Sequence, residues 1–127
     1  SSPDYKPVLP SGSAANTTSG KLSYDSEKKV TSYTDKIGDN QITISEQPLP
    51  PDFKDNPDGR VEIFAKNANF NDLIQYNGGR AHIGTSIKGP QSVVFHKDGL
   101  LIFLKSDKKI LNADWVKYIN SLQSAKE

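Results

Sequence analysis

NDLIQYNGGRAHIGTSIKGPQSVVFHKDGLLIFLKS, residues 71–106, decides the fold. Asn77-Gly78-Gly79-Arg80 separates two apolar runs with residues that tolerate positive φ, which is a hairpin signal. A turn on Gly78-Gly79 predicts Tyr76 opposite Ala81 and Ile74 opposite Ile83, collecting apolar side chains on one face. Lys97-Asp98-Gly99-Leu100 is a second tight hairpin. Centring it on Asp98-Gly99 pairs Phe95 with Ile102 and Val93 with Leu104, and on the opposite face Val94 with Phe103 and His96 with Leu101. Both faces of this strand pair are therefore apolar, which is the pattern of central strands covered on two sides.

Upstream, Leu22, Tyr24, Val30, Tyr33, Ile37, Ile42 and Ile44 alternate with polar residues and are broken by turns at Asp25 to Lys29 and Gly38-Asp39-Asn40. That pattern predicts antiparallel strands over about 21–25, 29–36 and 41–46. Gln47 to Phe53 holds three prolines, which lack the N–H a ladder needs, so the sheet is left there. Asn56-Pro57 then resembles a helix start, and Val61, Phe64, Ala65 and Ala68 form one stripe of a helix over about 57–68, despite the cost of Gly59. Asn112 is expected to cap a second helix, 113–122, with Trp115, Val116, Ile119 and Leu122 facing the sheet. The expected fold is α+β. It is an antiparallel sheet of about six or seven strands, with one helix inserted after the third strand and a C-terminal helix packed on one face. The second face is left for the first helix, the proline-rich segment or another molecule.

Residues 1–20 are rich in Pro, Ser and Gly, with Val8-Leu9 as their one apolar cluster, and read as a flexible linker or tail. Residues 21–123 read as the single α+β domain and 124–127 as a tail. The chain opens with Ser1-Ser2 rather than Met, which suggests a processed or trimmed product. Asn16-Thr17-Thr18 fits the N-glycosylation pattern, as Ser/Thr-rich tracts do by chance.

Composition limits the chemistry. Sixteen Lys+Arg against fifteen Asp+Glu leave a net charge of +1, which draws the chain toward neither nucleic acid nor an anionic membrane. With no cysteine there is no disulfide, thiolate metal site or cysteine nucleophile. No apolar run is long enough to span a bilayer, so direct membrane insertion is not expected of this chain.

His82 and His96 are the side chains expected to titrate near neutrality without special tuning. The plain reading puts His82 at the sheet surface and His96 partly buried beside Leu101. No cluster with ligand-like spacing accompanies them, and no Gly-x-Ser-x-Gly elbow supports a triad. Glu27, Glu46 and Glu62 are spread along the ordered middle, while Asp35, Asp39, Asp52, Asp55 and Asp58 lie mainly in turns, where aspartate usually accepts from backbone. Pro57 and the missing closing Glu break the loose likeness of 52–58 to a calcium loop. Lys88-Gly89-Pro90 is not a phosphate loop. Lys105, Lys108 and Lys109 read as a solvated turn with gatekeeping lysines. Trp115 and Tyr76 read as core rather than as a sugar-stacking platform. No catalytic, cofactor-binding or metal-ligating residue is assigned.

The runs YTDKIGDNQITISEQPLPPDF, GGRAHIGTSIKGPQSVVFHKDGLLIFLKS and DWVKYINSL resemble uncharacterised membrane-anchored proteins of reduced-genome, candidate-phylum bacteria, over about residues 30–122. The resemblance implies a missing N-terminal anchor, a Ser/Thr-rich spacer and one extracytoplasmic domain, and it carries over no site residues. The expected function is a non-enzymatic extracytoplasmic binding or interaction module whose partner is a protein or an envelope component. The alternatives are a small hydrolase or carbohydrate-processing domain using His82 or His96 with nearby carboxylates, and a purely structural envelope component.

Overall fold

The computed structural model describes residues 2–11 and 22–124. The strands are β1 (Val8–Pro10), β2 (Ser23–Asp25), β3 (Val30–Ile37), β4 (Asn40–Pro48), β5 (Asp72–Tyr76), β6 (Gly79–Thr85), β7 (Gln91–Lys97), β8 (Leu100–Ser106) and β9 (Leu122–Ser124). Helix α1 (Pro57–Asn67) lies between β4 and β5, and α2 (Asn112–Ser121) between β8 and β9. Seven strands form one sheet in the order β2-β3-β4-β8-β7-β6-β5, all neighbours antiparallel, and β1 pairs with β9 in a separate two-stranded sheet. The α+β, mainly antiparallel class read from the sequence is the observed one.

The β7–β8 hairpin has the expected register, with Phe95 opposite Ile102 and Val94 opposite Phe103. Its turn residues Asp98 and Gly99 both take positive φ, 53° and 79°, as a two-residue turn matched to strand twist requires. In the β5–β6 hairpin the loop is Asn77-Gly78, so Ile74 faces Ala81 and Tyr76 faces Gly79, two residues from the expected register. Gly79 is a strand residue because the Tyr76 ring lies across it: a Cβ there would meet Tyr76 Oη at 2.6 Å. A two-residue slip keeps the pleat, so Ile74, Ala81 and Ile83 still point into the core.

Two clusters cover the two faces. On one, Ile42, Ile44, Val93, Phe95, Ile102 and Leu104 pack against Trp115, Tyr118, Ile119 and Leu122 of α2 and its exit. On the other, Val94, Leu101 and the half-buried Phe103 meet Val61 and Ala65 of α1 together with Leu49 and Phe53, so the proline-rich segment and α1 share that face. Asn56 caps α1 as expected, its side chain accepting from Gly59 N at 3.2 Å. Asn112 does not cap α2. Leu111 stands at that position without a side-chain bond, and Gln91 of β7 holds the helix entry instead. Its Oε1 accepts from Ile110 N at 2.7 Å and Trp115 Nε1 at 2.9 Å, while its Nε2 donates to Thr85 Oγ1 at 2.9 Å.

The reading of the first twenty residues as a linker fails for the part described. Val8 is fully buried in the α2-side core. Tyr5 Oη bonds the Lys29 carbonyl at 2.9 Å and the Thr31 hydroxyl at 2.7 Å, and Ser11 Oγ donates to the Ser121 carbonyl. One buried valine, three ladder partners on β9 and these side-chain bonds together fasten a segment whose composition suggested none. The Asn16 triplet and residues 125–127 lie outside the described residues.

Candidate functional site

Three polar features stand out from this scaffold. The first joins His96 of β7 to Asp58 in the first turn of α1, with Nε2 and Oδ1 2.6 Å apart. The hydrogen bond from His96 holds the Asp58 carboxyl below the ordinary carboxylate value, with the nearby Arg80 guanidinium assisting. A carboxylate at a helix N-terminus also meets the positive end of the helix dipole. Asp58 is 62% exposed and His96 27%, so the pair pins α1 to the sheet at its rim. His82 pairs with Val94, which places it diagonal to His96 on the same face. It is buried rather than at the sheet surface, because the helix face bearing Val61 and Ala65 closes over it. Burial lowers its pKa, Glu62 opposing and Arg80 assisting. Among the described residues no group of three or more His, Asp or Glu could hold a metal ion.

The second feature is buried on the α2 side. Glu46 of β4 is fully inaccessible, and its Oε1 accepts from Val8 N at 2.8 Å. Tyr33 Oη lies 2.9 Å from Glu46 Oε2 and 2.7 Å from the Val8 carbonyl. Burial pushes the Glu46 carboxyl up to about 7, against the pull of the Val8 N–H and the Tyr33 hydroxyl. Nearby, Tyr118 Oη donates to Asp35 Oδ2 at 2.8 Å, tying α2 to β3. Among the described residues no buried side-chain polar atom lacks a partner.

The third feature is a trough on the α1 side of the sheet. Helix α1 packs mainly over β6 and β7, leaving β4 and β8 open toward the β6–β7 loop. Cross-strand pairing aligns Thr43 with Lys105, Lys105 with Ser92 and Ser92 with Gly84, so one row crosses four strands. Two hollows of about 370 and 460 Å³ share Phe70, Ser92 and Lys105 and so run together along this row. Phe70, just after α1, lies against Gly84, where a Cβ would meet its ring at 2.6 Å. Ser45 and Phe103, directly paired in the next row, complete the floor. Lys105 is the charged side chain in the lining, on a strand and separate from Lys108 and Lys109 in the following loop.

The sequence reading thus brought forward the histidines, and the structure joins one of them to a carboxylate. It gave no site role to Glu46, Tyr33 or Gln91, whose partners lie on other elements. The trough had a local signal, the Thr43 and Ser45 hydroxyls alternating with buried Ile42, Ile44 and Glu46.

Comparison of the chain with known protein families, curated proteins and solved structures finds no match.

Proposed function

We propose that the chain is a non-enzymatic binding module that takes its partner in the trough, and that it works outside the cytoplasm on a membrane tether. The observation carrying this reading is the uncovered row Thr43–Lys105–Ser92, a concave strip with joined hollows of ligand size on the α1 side of the sheet. The partner is an envelope component or protein; neither nucleic acid nor insertion into the bilayer enters this reading. The resemblance over residues 30–122 supports the location.

A small hydrolase is the second reading, and the His96–Asp58 contact of 2.6 Å favours it. Two variants separate the readings in a co-sedimentation assay with native envelope fragments. Ser92→Arg fills the trough and is expected to abolish sedimentation without lowering the melting temperature, because Ser92 is not part of either core cluster. His96→Gln is expected to sediment like the parent. Sedimentation unaffected by Ser92→Arg, or turnover of envelope polymer that His96→Gln abolishes, would move the function to the dyad. Protease treatment of intact cells carrying the tagged protein tests the location, and protection from the added protease would refute it.

A further inference from the structure

Resting on the binding-module reading, we infer that the trough is a site for a short acidic oligosaccharide lying across the strands. The row from Thr43 through Lys105 and Ser92 to Gly84 steps over three inter-strand spacings, roughly 14 Å in all. A ligand in it crosses the strands at a steep angle. The backbone N–H and C=O groups beneath are engaged in the ladders of β4, β8, β7 and β6, so an extended peptide would find no edge to pair with. What the floor offers is side-chain chemistry.

Among the described residues, the hydroxyls of Thr43, Ser45 and Ser92 and the ammonium of Lys105 make no hydrogen bond within the protein. They are groups that donate and accept with a polyol and pair with an acid. The side chains of Phe70 and Phe103 add apolar surface to the lining, suited to the C–H faces of sugar rings. With Lys105 the charged group of the lining, complementarity selects a sugar bearing a carboxylate or phosphate over a neutral one.

The test is titration of the ¹⁵N-labelled chain with tri-galacturonate, tri-N-acetylglucosamine and inorganic phosphate. Tri-galacturonate is expected to shift the amides of Ser45, Ser92 and Lys105 saturably, with inorganic phosphate leaving them in place. It should bind more tightly than the neutral trimer by about threefold to fivefold, the ratio an exposed ion pair supports. Lys105→Gln should erase that ratio while keeping both sugars bound, and Ser92→Arg should remove both. Equal affinity for the two trimers in the parent chain would overturn the acidic preference. Binding of phosphate alone, or no trough shift with either trimer, would overturn the sugar site. If the sugars fail while Ser92→Arg still abolishes envelope binding, the module keeps its trough and loses this ligand. If Ser92→Arg changes neither, the binding-module reading itself fails.

Discussion

Tyr33 has one phenolic proton and two acceptors within reach, the Val8 carbonyl and Glu46 Oε2. Both contacts are made when Glu46 is protonated and donates to Tyr33, freeing Tyr33 to donate to Val8. Deprotonation leaves a buried carboxylate competing for that single proton, and desolvation is the main reason its pKa rises to about 7. For a raised acid, the contribution to stability is full below the ordinary value of 4.5 and is lost as pH climbs through the folded value. The window from pH 4.5 to 7 carries a loss on the order of 3 kcal/mol at most. Glu46→Gln presents the same acceptor to Val8 and a permanent donor to Tyr33. Denaturant melts at pH 5 and 8 should show the parent losing more stability at pH 8 than the Glu46→Gln variant does. Subtracting the variant removes the contribution of His82, which runs the other way. A variant as steep as the parent, or one that does not fold, would refute the shared proton. Nothing local marks Glu46 in the sequence, because its environment is made by Val8 and Tyr33 from other strands.

Among the elements, the β7–β8 hairpin was readable because its signal is local: two turn residues adopting positive φ and alternation on both sides. The β5–β6 register was missed by two because Gly79 serves contact with Tyr76 rather than the turn. The cap of α2 was misread for a related reason, since Gln91 reaches it from across the sheet. Burial of both faces was readable, but its unequal depth was not. Ile102 is fully buried under α2, whereas Phe103 borders the trough and meets Phe64 edge to face at 5.7 Å. Ile102→Ala should therefore cost roughly 2 to 5 kcal/mol, and Phe103→Ala clearly less than the roughly 3 to 5 kcal/mol usual for a buried Phe. Equal losses in urea melts would mean that the trough is closed in solution.

For the whole molecule, the largest departure from the sequence reading is the N-terminal segment. Two apolar residues in a Pro/Ser-rich stretch give no local reason to order, yet Val8 pairs with Ser124 and Pro10 with Leu122, joining regions near the two ends of the chain. Deleting residues 1–11 should lower the melting temperature by more than about 5 °C, the shift expected of about 1 kcal/mol at this size. The deletion also admits water to Glu46, so the loss between pH 5 and 8 should shrink in parallel. A truncated chain that melts like the parent would show that the segment is not fastened in solution. The antiparallel pairing has a mechanical consequence as well. Chain enters β1 at Val8 beside the point where it leaves β9 at Ser124, so tension between the two exits loads the pairs one after another. Such a join peels at low force rather than shearing as a block. When the pull is instead between residue 2 and a partner held at Lys105, the load passes from Val8 through Glu46 into β4 and on to β8. The grip of the segment on the sheet under strain then depends on the proton that Glu46 holds.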